Sequence, residues 1–336
     1  MGEIERFMTA GEREIYRIPV RSFPGLITNV HVIVGEGHCI LVDTGSGFGE
    51  ANGDLVAGLA EVGPKFGRKV GLEDLTEILI THGHIDHFGA LPFIREHNRT
   101  APIGIHVLDR QVLANHRERV LVAARRLDTF LVGAGVKEGW RQELMKVYLW
   151  GKQFYESTPV QFLLEDGIET VAGIQVYHAP GHCSGQVCLQ VDDVLMTADH
   201  ILAKTTPHQT PESITRNMGL GHYLASLDKI KRVEGVRLGL GGHEEPITDV
   251  GGRIEAIKKS HERRLDKVLG ICKGEPQSIA DISRALFGKV ESYHILLALE
   301  EAGAHVEYLY DRGELVAANL EEIEREALPV VKYVVG

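Results

Sequence analysis

Thr81-His-Gly-His-Ile-Asp-His-Phe-Gly89 follows directly on residues 76–80, a short apolar run that reads as a strand. In extended chain, residues two apart face the same way, so His82 and His84 can grip one cation together. Asp86 and His87 stand where the loop turns into a helix and can grip a second. Imidazole suits Zn²⁺, Fe²⁺ and similar borderline cations, and a carboxylate adds harder oxygen ligation. Three further strand ends carry matching residues: His182 in Gly181-His-Cys-Ser-Gly185, Asp199 in Thr197-Ala-Asp-His200 and His243 in Gly242-His-Glu244. Any one of these histidines alone would read as a surface or hydrogen-bonded residue. Five histidines and two aspartates, each just past a strand, make two sets of three with one shared residue. That is the inventory of a two-metal hydrolytic site with room for water.

Outward from the motif, the chain alternates strands and helices. Residues 26–34 and 38–42 are rich in Ile and Val and flank Gly35-Glu-Gly37 as a hairpin, and Asp43-Thr-Gly-Ser-Gly47 ends the second strand. Helix-compatible sequence covers residues 49–62 and 90–97, with a strand at 103–107. Further strands are expected at 161–164, 168–171, 175–178, 186–191, 194–197 and 235–241, and a helix at 221–233. Between these halves, residues 108–156 carry two amphipathic helices broken near Gly133-Ala-Gly135, with nine basic residues against six acidic. They read as a helical insertion, with Phe130, Trp140, Tyr148 and Phe154 forming apolar wall beside the metal cleft. Beyond Gly251, helices at 254–272, 278–287 and 291–302 precede a hairpin of residues 305–310 and 314–318 around Asp311-Arg-Gly313, which is the winged-helix pattern. The expected division is a catalytic domain over 1–253 and a winged-helix-like domain over 254–336.

The 336 residues carry 36 Lys+Arg against 47 Asp+Glu, a net charge of −11, which disfavours indiscriminate binding to nucleic acid or anionic membranes. With 43% hydrophobic and 25% charged residues, the chain has ample core. It contains no run of 18 apolar residues, and its first residues lack a secretory apolar segment. The four cysteines form no CxxC pair and read as reduced thiols, so a cytoplasmic protein is expected.

The order DTG, HxHxDH, GH, AD, GGH resembles the metallo-β-lactamase superfamily over residues 20–255. The resemblance implies an αβ/βα sandwich of two mixed sheets with the site at one edge. It also implies that His82, His84 and His182 hold one metal, that Asp86, His87 and His243 hold the other, and that Asp199 bridges them. Asp43 matches the family's acid that orients a ligand histidine through its other ring nitrogen. Antibiotic-destroying zinc β-lactamases usually place a cysteine among the ligands of the second metal and lack the Asp199 match. The pattern is closer to the glyoxalase II, lactonase and ribonuclease-like branches. Lactonases carry a tyrosine three residues past the bridging aspartate, where this chain has Leu202. Sulfur dioxygenases with a single iron share HxHxDH. The best local match, residues 197–202 through 242–247, is with a branch ending in a winged-helix domain, some members of which are endoribonucleases. That branch usually reads Pro-Gly-His-Gly where this chain has Gly241-Gly-His-Glu244.

The expected function is hydrolysis of a small-molecule thioester, ester or lactone by a bridging hydroxide, with Asp86 and Asp199 as the catalytic carboxylates. The cofactors are two divalent ions, Zn first, with Fe or Mn as alternatives. A metal-dependent endoribonuclease or phosphodiesterase and an iron-dependent oxygenase are the competing readings. Cys183 reads as a buried small hydrophobe, His200 and His208 near the bridge as residues behind the ligands or at the rim rather than proton donors, and Arg117, Arg119, Arg125 and Arg126 as a solvated helix face. From residue 254 to 336 the net charge is −4, and residues 291–302 contain no Lys or Arg, so the tail is expected to pack against protein through Ile295, Leu296, Leu299 and its terminal valines. A homodimer is compatible with that apolar terminus.

Overall fold

Four strands begin the chain as an antiparallel meander: β1 (Glu5–Met8), β2 (Glu14–Phe23), β3 (Leu26–Gly35) and β4 (His38–Val42). These and all later elements come from a computed structural model, which describes residues 2–67, 70–153, 155–170 and 172–336. After α1 (Ala51–Phe66) the sheet continues in parallel through β5 (Glu77–Leu79), then α2 (Ile85–Phe88), α3 (Leu91–His97) and β6 (Ile103–Ile105). Helices α4 (Arg110–Ala114), α5 (His116–Gly133) and α6 (Glu138–Trp150) intervene before β7 (Phe162–Leu163) completes a seven-stranded mixed sheet in sequence order. A second sheet, ordered β11-β10-β9-β8, contains β8 (Gln175–His178), β9 (Val187–Val191), β10 (Val194–Ala198) and, after α7 (Leu220–Ile230), β11 (Leu238–Gly241). Then follow α8 (Val250–Ile271), β12 (Gln277–Ser278), α9 (Ile279–Phe287), α10 (Tyr293–Asp311), β13 (Leu315–Ala317), α11 (Leu320–Arg325) and β14 (Lys332–Val335). Among the described residues, no helix is long and apolar enough to cross a membrane.

The chain divides into two units. The first comprises Met1–His116, Tyr155–Pro207 and Ser226–Ile254. Its central strands, such as β3, β4 and β10, are buried on both faces, which is why they read as continuous apolar runs rather than alternating ones. In β3, Val30, Val32 and Val34 join Leu55 and Leu59 of α1 and Leu91 and Ile94 of α3 in one core. Ile33 turns the other way and meets Val187, Leu189, Val194 and Leu240 of the second sheet in another. This is the expected sandwich of two mixed sheets with helices outside. Pro19 is tolerated within β2 because β1 pairs only Glu14 to Arg17, leaving the Pro19 edge unladdered on that side. The expected strand at 168–171 is reduced to a bridge between Glu169 and Gln175, and Val171 lies outside the described residues.

The second unit comprises Arg117–Phe154, His208–Ala225 and Glu255–Gly336, so the insertion and the C-terminal segment share one body instead of parting at residue 253. Leu127, Phe130, Leu131 and Leu144 of the insertion bury with Val268, Ile282, Leu296 and Leu299 of the tail, and Tyr148 and Ile295 pack against that core. The tail's apolar residues therefore find their partners in the insertion. Trp140 stays 62% exposed, and Phe154 lies outside the described residues. Residues 305–310 are not the expected strand but the last turns of α10. Buried Leu296, Leu299, Ala302, Val306 and Leu309 recur at three and four residues, so the helical face runs straight through them. The strand that pairs with β13 is instead β14, with Leu315 opposite Val335, in a three-stranded sheet ordered β12-β14-β13.

Candidate metal centre

The first unit delivers its polar residues from strand ends. Asp43 follows β4, the stretch from Thr81 to His87 follows β5, Asp199 follows β10 and His243 follows β11, while His182 precedes β9. One of these positions and the neighbours of two others bend the backbone into the left-handed region: Asp43 (φ 61°), Ala198 (φ 45°) and Glu244 (φ 65°). Such strain persists only where surrounding structure over-determines it. At Ala198 the β10–β11 register shifts as well, which turns Asp199 out of the sheet.

All seven ligand candidates converge into two neighbouring groups. His82, His84, His182 and Asp199 offer atoms that all lie within 4.8 Å of one another, and so do Asp86, His87 and His243. His82 Nε2 is 3.1 Å from His84 Nδ1, which is 3.0 Å from His182 Nε2. Asp199 faces both groups: Oδ2 is 3.7 Å from His182 Nε2 and 3.2 Å from His243 Nε2, and Oδ1 is 3.5 Å from His87 Nε2. Asp86 Oδ2 is 3.4 Å from His243 Nε2 and accepts from Thr28 Oγ1 at 3.3 Å.

Hydrogen bonds outside the groups fix which nitrogen faces inward. His87 Nδ1–H donates to Asp43 Oδ2 at 2.8 Å, and His243 Nδ1–H donates to the Ile27 carbonyl at 2.6 Å. Thr81 Oγ1–H donates to Asp43 Oδ2 at 2.8 Å, so its remaining lone pair accepts from His82 Nδ1–H at 3.0 Å. His84 Nε2–H points at Cys183 Sγ, 3.3 Å away, giving this buried thiol a partner as well as a packing role. These bonds leave the inward nitrogens of His82 and His84 as bare lone pairs, the form a metal requires, and turn the second ring nitrogens of His87 and His243 inward.

The donor set fits a cation on two counts. His87 Nε2 and Asp199 Oδ1 are buried and, among the described residues, have no hydrogen-bond partner. Burial, reinforced by neighbouring imidazoles, holds His82 and His84 well below the usual histidine range, so they stay neutral and their facing lone pairs repel without a positive charge between them. Burial would raise the pKa values of Asp86 and Asp199, but His87 and His243 outweigh it and keep both carboxyls well below their usual range. Conversely, burial opposes a charge on His87 and His243, yet the adjacent carboxylates lift His87 well above its usual value and His243 to about 10. A bound cation would take the place of those protons.

Several residues differ from their sequence reading or were passed over by it. His200 is fully buried, and burial pushes it down to about 3, so it is a neutral interior residue and not a rim group. His208 bonds Glu300 and Glu301 in the second unit. The Glu244 carboxylate accepts from the N–H groups of Lys204 (2.6 Å) and Thr205 (3.1 Å), and so is tied to a loop. Its φ lies in the left-handed region, a conformation that favours glycine. Thr28, Asn29 and His31 are buried polar residues in the otherwise apolar β3, and this contrast is the signal that would have marked them. Asn29 Nδ2–H donates to the Glu244 carbonyl at 2.8 Å and so holds the loop that carries His243.

Beside the centre, the hairpin between β2 and β3 and the start of α1 enclose a cleft of about 440 Å³ lined by Phe23, Leu26, Ile27 and Phe48, with Arg21 and Glu50 at its polar side. A further buried group, His261, Glu301 and His305, lies in the second unit.

Comparison with known proteins places this geometry. The profile of the Metallo-beta-lactamase superfamily matches residues 23–243, and that of the Metallo-beta-lactamase-like C-terminal domain matches residues 265–323. The probable metallo-hydrolase YqjP of Bacillus subtilis is 23% identical over 316 residues, covering 90% of this chain and 93% of that protein. The crystal structure of a metallo-beta-lactamase family protein from Thermus thermophilus superposes with a TM-score of 0.76 at 28% identity, covering 96% of this chain and 98% of the other. A beta-lactamase domain protein from Burkholderia ambifaria gives 0.76 at 21% identity, covering 99% and 94%, a likeness of fold.

Proposed function

The chain belongs to the metallo-beta-lactamase superfamily, and from that premise we propose that it is a dinuclear metal-dependent hydrolase of small-molecule thioesters, esters or lactones. The observation that carries the reading is Asp199, whose Oδ2 lies near His182 of one group and His243 of the other, while Oδ1 faces His87 and lacks any hydrogen-bond partner among the described residues. In this reading His82, His84 and His182 hold one ion, Asp86, His87 and His243 the other, and Asp199 bridges them. Mixed imidazole and carboxylate donors suit Zn²⁺ first, then Fe²⁺ or Mn²⁺. When bound, two such ions lower the pKa of a water from 15.7 towards ~7 and polarise a carbonyl oxygen.

The remaining work falls to the chain. Asp86 Oδ2 and Asp199 Oδ1 are the inward carboxylate oxygens able to accept the hydrogen bond of the attacking water and orient its lone pair. Asp43 and the Ile27 carbonyl keep the Nδ1 protons on His87 and His243, so neither ring rotates or changes tautomer during turnover. The apolar cleft shares Ile27 with the His243 hydrogen bond, which supports an acyl group packed on Phe23, Leu26 and Phe48 with its carbonyl directed at the centre. Nucleic acid is a poorer substrate: the tail carries a net −4, and Leu296, Leu299 and Val306 of α10 are buried and unavailable to a groove.

Metal analysis of the purified protein, with a screen of thioesters, esters, lactones, phosphodiesters and RNA, tests this. Two divalent ions per chain and chelator-sensitive turnover of apolar acyl substrates are expected. Turnover confined to RNA or phosphodiesters would replace the substrate reading, and one ion per chain would replace the dinuclear one.

A further inference from the structure

Asp109 lies in the turn between β6 and α4, only 4% exposed, and belongs to neither group of inward-facing donors. Its carboxylate is shared between two loops. Gly83 N–H donates to Oδ2 at 2.8 Å, and Gly185 N–H donates to Oδ1 at 3.0 Å. Gly83 separates His82 from His84, and Gly185 stands three residues after His182. One buried carboxylate thus joins the two loops whose histidines meet at a common point. Hydrogen bonds from backbone N–H to an ionised carboxylate are among the stronger kind.

The two glycines are a second, independent observation. A Cβ on Gly185 would stand 2.7 Å from Asp109 Cγ, and one on Gly83 would stand 3.2 Å from Asp109 Oδ2 and 3.1 Å from Val112 Cγ2. Neither residue has positive φ, so close approach to Asp109, not backbone conformation, accounts for glycine at both places. Asp109 is itself anchored: its N–H donates to the His106 carbonyl at 3.0 Å, and its carbonyl accepts from Val112 N–H at 2.9 Å. The Ser184 carbonyl, next to Gly185, accepts from His178 Nε2 at 2.8 Å.

We propose that Asp109 is a positioning residue for the His82–His84–His182 set, a clamp that holds its two loops in register. The proposal rests on the two-metal reading above. The Asp86–His87–His243 set is tied by other groups, namely Asp43, Thr28 and the Ile27 carbonyl. The clamp should therefore act on one metal position and spare the other. In Asp109→Asn, one oxygen becomes an NH₂ donor that faces a backbone N–H, so one loop is released with almost no change in volume.

The test is titration of cobalt(II) into the metal-free full-length chain, followed by visible absorption and calorimetry, for the parent, Asp109→Asn and Gly185→Ala. Two binding steps are expected in the parent. In both variants one step should weaken by about 10-fold or more while the other keeps its affinity and spectrum, the size typical of groups that support metal ligands. Equal weakening of both steps, or no weakening, overturns the clamp and leaves the two-metal reading standing. A parent that takes up no cobalt removes that reading and the clamp with it. Metal-free Asp109→Asn that no longer melts cooperatively also overturns it, because Asp109 would then hold the fold and not the site.

Discussion

Two buried histidine–carboxylate clusters can be set side by side. The one in the first unit gathers five histidines with Asp86 and Asp199, and the one in the second gathers His261 and His305 with Glu301. In the second, the Glu301 carboxylate and the His305 ring are answered from within, and His261 Nε2 is the one ring nitrogen of the group left without a partner among the described residues. Arg264 bonds Glu301 Oε1, and Gln209 N–H donates to Oε2 at 2.7 Å, with His208 Nδ1 3.3 Å away. His305 Nδ1–H donates to the Glu301 carbonyl at 2.7 Å, and His261 Nδ1–H meets His305 Nε2 at 3.1 Å. With Arg264 and His208 matching Glu300 and Glu301, an added dication would be buried with no compensating charge. In the first cluster the outward nitrogens of His82, His84, His87 and His243 are satisfied, while the inward His87 Nε2 and Asp199 Oδ1 have no partner among the described residues. Both clusters bury histidine with carboxylate, so what distinguishes the metal centre from the charge network is how the carboxylate is matched: by Arg264 in the second, by histidine nitrogens in the first.

The largest effect that would break this contrast concerns Asp199. Asp199→Ala or His84→Ala should lower turnover by roughly 10³-fold, the several kcal/mol of charge stabilisation that a displaced metal supplies, while the metal-free chain still folds. Full activity in a metal-verified Asp199→Ala would end the bridging role. Next comes Glu301→Ala, which strands Arg264 and His208 and should destabilise the second unit by about 3–5 kcal/mol in urea denaturation, as removing one partner of a buried ion pair does. A loss under about 1 kcal/mol would mean that the cluster is effectively solvated.

A third effect is pH-dependent. Burial alone would lower the pKa of His208, but its bonds to Glu300 and Glu301 outweigh this and raise it to about 9 from 6.5. The stabilisation is fully present below about pH 6.5 and is lost as pH rises through about 9. With the side chain 25% exposed, the change should be about 2 kcal/mol. Stability measured across that window should fall in the parent and stay flatter in His208→Gln; parallel curves would remove the ion pair from the account. The smallest expected effect is none: His261→Ala should leave the metal content per chain unchanged. A lost ion would make the second cluster a metal site and dissolve the comparison.

Much of this was legible in the residues alone. The HxHxDH run and the three isolated strand-end motifs named the seven side chains that gather in the two groups, because ligand chemistry restricts such side chains to a few types. The strands β3 and β4 were readable from runs rich in Ile and Val, since burial on both faces leaves little polar alternation, whereas β1 and β2, which carry Arg6, Glu14, Arg17 and Arg21, were not among the expected strands. His305–Tyr310 misled, because Val306 and Tyr310 suit a strand as well as the end of a helix, and it is the buried face that Val306 and Leu309 share with Leu296, Leu299 and Ala302 that selects the helix. The ties that orient the ligands, from Asp43, Thr28, Asp109 and the Ile27 carbonyl, join residues up to 216 positions apart. Local sequence determined which side chains could ligate and which segments could be strand or helix, because those are properties of side-chain chemistry and periodicity. The tertiary structure alone decided that the insertion and the tail share one core, and which histidine cluster faces inward unsatisfied, because both depend on contacts between segments that no local pattern records.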